Sequence, residues 1–108
     1  HRVFILADQP SMADYLSLVL RHAGLAVEVI SDPERMPDCL ARFRPDVVLV
    51  DLRDPMRPVR CLVGHAGPAI LRLSGKHDPI MPLERRLIRP VQPAELVAAV
   101  QACAKGYR

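Results

Sequence analysis

PDVVLVDLRDP, residues 45–55, decides the fold of this chain. In it, four consecutive apolar residues, 47–50, are followed at once by a carboxylate, Asp51. A short run rich in β-branched residues, without polar alternation, predicts a strand buried on both faces, as in a parallel sheet. An acid at the carboxyl end of such a strand lies where open α/β sheets build their sites. On this stretch alone, Asp51 is equally well interpreted as a site residue or as the start of a turn or helix.

The composition is typical of one globular domain with an aliphatic core. Of the 108 residues, 50% are hydrophobic and 25% are charged, which excludes a disordered segment. No apolar run reaches the roughly 18–20 residues of a membrane span and no signal peptide is visible, so we expect a cytoplasmic protein without a membrane partner. The 3 cysteines form no C-x-x-C pair, which favours buried reduced thiols, and the 4 histidines show no zinc-ligand spacing.

Apolar runs recur along the whole chain at intervals that fit strands. The runs that predict strands cover residues 3–6, 25–30, 46–51, 69–73 and 86–89. Segments of helical spacing or short crossovers separate these runs, and each crossover between parallel strands is right-handed. The sequence therefore predicts an α/β fold, a doubly wound parallel sheet of five strands.

The predicted helices differ in length because prolines interrupt the second half of the chain. Helical spacing predicts a first helix from Ser11, a second that begins or is kinked at Pro37, and a last one from Pro93. Proline spacing leaves room for only a short third helix, about 58–65, and for no more than one helical turn within 75–84.

Four polar residues follow the ends of four different predicted strands. They are two acids, a hydroxyl and a cation, namely Asp8, Asp51, Ser74 and Arg89. In a doubly wound sheet these ends meet at one edge. Here the sequence resembles the receiver domain of two-component response regulators. The resemblance covers nearly the whole chain and is carried by ILADQPSM, PDVVLVDLRDP, LRLSG and IRP followed by a helix.

The resemblance implies a flavodoxin-like sheet with strand order 2-1-3-4-5 and a phosphorylation site at its edge. By this resemblance Asp51 accepts a phosphoryl group from a histidine kinase, and Mg²⁺ is held by Asp8, Asp51 and the backbone carbonyl of Arg53. Ser74 and Arg89 then contact the phosphoryl oxygens. A divalent ion is needed there because a carboxylate attacks a phosphate dianion poorly unless the charge is neutralised. Beyond accepting this group, no enzyme activity is expected.

Several positions depart from the family pattern. Ala7 replaces the first of two acids that bind the metal, so magnesium binding is weakened, and a degenerate domain would need none. Arg89 stands where the family has lysine, and Arg86 stands at its aromatic switch position. The fourth helix of the family is eroded. We therefore expect Arg53 or Arg89 to pair with the acids as a fixed substitute cation, with a solvated Arg53 as the equal alternative.

Three functions follow from the sequence. The first is a degenerate receiver, or pseudo-receiver, over residues 1–108 that serves as a regulatory protein-interaction module in a larger signalling protein. The alternative is a working receiver phosphorylated on Asp51. A third is a nucleotide or second-messenger module lined by the arginines between Arg53 and Arg89. Expected partners are a histidine kinase, other domains of the same protein, or a second copy of the chain. Direct nucleic-acid binding is not expected, because the chain offers no aromatic platform.

Overall fold

Five parallel strands form one sheet at the centre of the computed structural model. The structure describes residues 1–54, 57–63, 67–81 and 83–105, without the side chains of residues 61 and 62. The strands are β1 (Arg2–Ala7), β2 (Ala26–Ile30), β3 (Val47–Asp51), β4 (Ala69–Ser74) and β5 (Arg85–Ile88). Their order is β2-β1-β3-β4-β5, with every neighbouring pair parallel, which confirms the predicted flavodoxin-like topology.

The helices cover the two faces of this sheet. They are α1 (Pro10–His22), α2 (Met36–Phe43), α3 (Arg60–Val63) and α4 (Pro93–Ala104). The short third helix is confirmed, and the described residues between β4 and β5 contain no helix, as the prolines of that segment predict. None of the helices that the structure describes is long and apolar enough to span a bilayer.

The entry to α2 shows how the chain accommodates two prolines. A 3₁₀ turn, Pro33–Arg35, precedes the helix, and the side chain of Asp32 caps it by accepting a hydrogen bond from the amide of Glu34 at 3.0 Å. Pro37 then falls in the first turn of α2, where a backbone N–H has no partner within the helix. The second helix therefore begins at Met36, next to Pro37, and needs no kink.

All five residues of β3 are buried, because both of its faces are covered. Val47 and Leu49 pack with the residues of α1 and α4, whereas Val48 and Val50 pack with α2 on the opposite face. Two-sided burial explains why the apolar run shows no polar alternation. Burying one such side chain contributes about 1.5–3 kcal/mol, so β3 anchors Asp51 at a fixed place.

The two described cysteine side chains, Cys39 and Cys103, are buried free thiols, as the sequence predicts. Burial raises the pKa of the Cys103 thiol, and the nearby charge of Arg85 offsets this pKa shift only in part. A raised pKa keeps the thiol protonated and unreactive at neutral pH. The side chain of Cys61 lies outside the described part of the structure.

Gly24 closes the turn between α1 and β2 in a left-handed conformation, with φ of 88°. A methyl group built there would meet no atom within 4 Å, so any penalty comes from the backbone alone. We expect Gly24→Ala to lower the free energy of unfolding by about 1 kcal/mol, and Gly24→Asn by less, because asparagine tolerates this region better. Urea unfolding of the three proteins measures this, and an alanine variant as stable as wild type would contradict it.

Candidate functional site

The carboxyl ends of β1, β3 and β5 meet around one pocket at the edge of the sheet. Its volume is about 350 Å³, and its lining includes the predicted site residues Asp8, Asp51, Arg53 and Arg89. Three further lining residues were not predicted, namely Gln9, Met12 and Leu52. Gln9 and Leu52 each follow a predicted acid directly, so their positions in the sequence were a usable signal, whereas Met12 lies in the first turn of α1. Short continuations of well-anchored strands thus build the pocket.

Asp51 and Arg89 form an ion pair across the pocket. The Asp51 side chain is 6% exposed, and its Oδ1 accepts a hydrogen bond from an Nη of Arg89, whose side chain is 36% exposed. Burying a carboxylate without a partner is costly, so the guanidinium compensates a charge that the fold places out of water. The positive charge of the Arg89 guanidinium thus balances the negative charge of the Asp51 carboxylate.

Asp8 is held by the main chain of the segment that follows β3. Its Oδ2 accepts a hydrogen bond from the backbone amide of Arg53 at 3.0 Å. Its Oδ1 is buried and has no hydrogen-bond partner among the described residues. Arg53 therefore enters the site through its amide, while the guanidinium that reaches Asp51 belongs to Arg89.

Ser74 lies beside this pocket rather than in its lining. It is the last residue of β4, it is buried, and its carbonyl accepts a hydrogen bond from the amide of Arg89 at 2.9 Å. The main chain thus sets Ser74 and Arg89 next to each other, as their positions after neighbouring strands predict. This backbone hydrogen bond joins the ends of β4 and β5 at the edge of the sheet where the pocket lies.

The oxygen atoms at the pocket fit a weakly held magnesium ion. A buried carboxylate oxygen without a partner, Asp8 Oδ1, is the kind of group that a hard cation satisfies. If magnesium binds there, Asp51 and the carbonyl of Arg53 would be the remaining protein ligands, and water would supply the others. Ala7 supplies no oxygen, and no three acidic, histidine or cysteine side chains group as a metal site in the described part of the chain. Bound magnesium would neutralise charge on phosphoryl oxygens.

Arg86 is fixed to the loop that follows β4. One of its Nη atoms donates a hydrogen bond to the carbonyl of Asp78 at 2.9 Å, and the carboxylate of Asp78 accepts a hydrogen bond from the amide of Gly75 at 2.7 Å. At the position where the family has an aromatic switch, this chain thus has a hydrogen-bonded cation.

One buried ion pair escaped prediction. Arg72 lies within the β4 run AILRL, which was interpreted only as an apolar strand, and it pairs with Glu84. The available signal was the charge itself, because a cation inside a buried strand requires an anion nearby. The sequence contains several acids, however, and does not say which of them is the partner.

Comparison with known proteins identifies the class. No protein-family model matches the chain. The DNA-binding response regulator MtrA of Mycolicibacterium smegmatis is 34% identical over 112 residues, which cover 94% of this chain and 49% of that protein. MtrA of Mycobacterium tuberculosis (strain H37Rv) is 33% identical over the same shares of both chains. This chain spans about half the length of the curated relatives it matches.

Solved structures show the same fold. The chemotaxis response regulator CheY4 of Vibrio cholerae superposes with a TM-score of 0.76 at 22% identity, covering 94% of this chain and 97% of that one. The activated N-terminal receiver domain of Klebsiella pneumoniae RstA gives 0.80 at 21% identity, covering 97% and 99%. The sheet order matches that of receiver domains, and the pocket lined by Asp8 and Asp51, here called the acid pocket, lies at the carboxyl edge of this sheet. This chain has the fold of a response-regulator receiver domain, and its sequence is similar to that of response regulators over 94% of its length.

Proposed function

We propose that this receiver domain is degenerate and works as a regulatory protein-interaction module of a larger signalling protein. The observation that carries the proposal is the ion pair between Arg89 and Asp51, in a pocket where Ala7 leaves only one acid beside the acceptor position. A permanently charged guanidinium that donates to Asp51 Oδ1 makes this carboxylate a weaker nucleophile toward phosphorus. One carboxylate fewer also weakens the hold on magnesium, so both requirements of phosphoryl transfer are impaired.

In a degenerate receiver, the side chains of the site stabilise the fold around the pocket. Arg89 neutralises the buried carboxylate of Asp51, and Asp8 anchors the segment after β3 through the amide of Arg53. Arg86 holds the loop after β4 without an aromatic switch. The pocket is thereby kept in one arrangement, which suits a surface that a partner recognises constantly rather than on phosphorylation.

The alternative is a working receiver phosphorylated on Asp51 by a histidine kinase. It is favoured by the unpartnered Oδ1 of Asp8 and by the 350 Å³ of space beside Asp51. In this case Asp8, Asp51 and the Arg53 carbonyl would hold magnesium, and Arg89 would turn from Asp51 to the phosphoryl oxygens. The hydroxyl of Ser74 would then also contact the phosphoryl oxygens.

A ligand-binding module lined by arginines has less support. Arg57 pairs with Glu34, Arg60 donates to the carbonyl of Leu83 and Arg86 donates to that of Asp78. Guanidinium groups that already donate hydrogen bonds within the fold have fewer donors left for a nucleotide. The ligand-binding function is therefore the least supported of the three.

The partners proposed for this chain are those expected of a receiver domain. We propose a histidine kinase, further domains of the same protein or a second copy of the chain as partners, in the cytoplasm, with no direct contact of this domain to nucleic acid. The relatives are named DNA-binding response regulators, and this chain matches about half of their length. An output domain elsewhere in the full protein is therefore consistent with the proposal.

Phosphoryl donors test the proposal directly. Wild type and Asp51→Asn are titrated with berylliofluoride and with acetyl phosphate in millimolar magnesium, and the amide NMR shifts and the intact mass are recorded. We expect no saturable shift and no phosphorylated species, because Arg89 and Ala7 disable the acceptor. A phosphorylatable receiver treated in parallel shows that the donors are active. A phosphorylated species that Asp51→Asn abolishes would establish the alternative.

A further inference from the structure

Arg72 occupies an unusual place for a charged residue. It lies near the end of β4 between β3 and β5, with Val50 and Arg86 as its neighbours in register. It lies two residues after Ile70 and therefore points to the face of the sheet that α2 covers. On this face the segment from β4 to β5 contains no helix among its described residues. The guanidinium thus lies beneath irregular chain.

The guanidinium of Arg72 joins three segments. Its Nε donates to Glu84 Oε1 at 2.6 Å, and an Nη donates both to Glu84 Oε2 at 3.3 Å and to the carbonyl of Arg57 at 2.7 Å. The side chains of Arg72 and Glu84 are each 3% exposed. A two-point contact of this kind fixes orientation as well as distance. β4 is thereby tied both to the segment after β3 and to the segment before β5.

Both tied segments lead to the acid pocket. Arg57 is hydrogen-bonded through its amide to the carbonyl of Asp54, next to Arg53, whose own amide holds Asp8. Glu84 immediately precedes β5, which ends one residue before Arg89. One buried contact therefore supports the residues that reach Asp8 and those that reach Asp51.

We propose that Arg72 is a positioning residue: its contacts with Glu84 and Arg57 clamp the two loops beside the acid pocket into one unit, in place of a helix between β4 and β5. The proposal concerns how the loops are held and does not depend on whether Asp51 accepts a phosphoryl group. The berylliofluoride titration can therefore show binding or no binding without affecting the proposed role of Arg72.

Hydrogen exchange measured by NMR tests the clamp. In Arg72→Met, we expect the amides of Arg53, Arg57 and Asp78 to exchange at least about tenfold faster than in wild type, because local opening of the loops becomes easier. The amides of Ala23–Leu25, at the far end of α1, should stay within about twofold. Acceleration of equal size at both places would overturn the proposal, since it would report general destabilisation.

A double variant covers the case in which Arg72→Met fails to fold. Arg72→Met with Glu84→Met removes both charges, and apolar replacement of a buried pair is often neutral for stability. We expect this protein to fold and its loop amides still to exchange about tenfold faster, because the three-way contact is lost. Loop amides as protected as in wild type would overturn the proposal.

An exposed ion pair on the same segment provides the matched control. Arg57 also pairs with Glu34 at 2.6 Å, with side chains that are 42% and 71% exposed. Glu34→Gln removes this pair without touching Arg72, and exposed pairs contribute little. Exchange should stay within about twofold throughout the domain. Loop acceleration equal to that of Arg72→Met would show that any charge loss at this segment suffices, against the proposed clamp.

Discussion

Ala7→Asp is expected to bind magnesium at least about tenfold more tightly than wild type, equivalent to about 1.4 kcal/mol. Ala7 is the register partner of Asp51 on the neighbouring strand β1, and register partners point to the same side of a sheet. An aspartate there would add a third carboxylate beside Asp8 and Asp51, and affinity for hard cations rises with the charge of the ligand set.

Magnesium titrations followed by amide NMR shifts of residues 8 and 53 measure this affinity. Ala7→Asn is the matched control, because it adds nearly the same volume without the charge. We expect its affinity to stay near that of wild type. Equal affinities of Ala7→Asp and Ala7→Asn would show that the missing acid does not limit metal binding, and the proposal of a degenerate site would lose one of its two supports.

Arg89→Met is expected to lower the free energy of unfolding by about 2 kcal/mol, because it leaves the 6% exposed carboxylate of Asp51 unpaired. Breaking a fully buried pair costs roughly 3–5 kcal/mol, and the 36% exposure of the Arg89 side chain reduces this figure. Arg53→Met should change stability by no more than about 0.5 kcal/mol, since the contact of Arg53 to Asp8 is made by its amide. Urea unfolding of each variant measures the difference.

A double-mutant cycle separates the ion pair from general effects of the arginine. In the Arg89→Met background, Asp51→Asn removes the unpaired charge, so it should recover most of the lost stability. In an otherwise wild-type chain the same substitution should destabilise. Additive effects would mean that the two side chains do not stabilise each other. If Arg53→Met lowers the free energy of unfolding as much as Arg89→Met does, both arginines would act as the cation that compensates the acids.

The strands were predictable because their cause lies in local sequence, whereas their order was implied by the resemblance to receivers. The continuous run Val47–Val50 requires cover on both faces, and the structure supplies it with α1 and α4 on one side and α2 on the other. The positions of Asp8, Asp51 and Arg89 follow once the strand ends are known. The resemblance to receivers then orders the strands, and the sheet order confirms it.

The contacts within the site were less predictable, because long flexible side chains and main-chain donors decide them. The sequence offers both Arg53 and Arg89 as partners for Asp51, and only the fold shows that a guanidinium of Arg89 reaches it. The bond from the Arg53 amide to Asp8 is independent of the arginine side chain, so residue identity cannot reveal it. Arg72 signals by its charge that a partner exists, yet several acids in the sequence could supply it.

The buried Arg72 also has a consequence for the order in which the domain folds. A guanidinium does not enter an apolar interior alone, and its carboxylate partner Glu84 lies 12 residues further along the chain. Strand β4 can therefore complete its docking on β3 only when the chain up to Glu84 has folded back over it. We therefore expect the last two strands to dock on β3 in one cooperative step. A nascent chain that ends before Glu84 would leave Arg72 without its carboxylate partner, so we expect β4 to stay undocked in it.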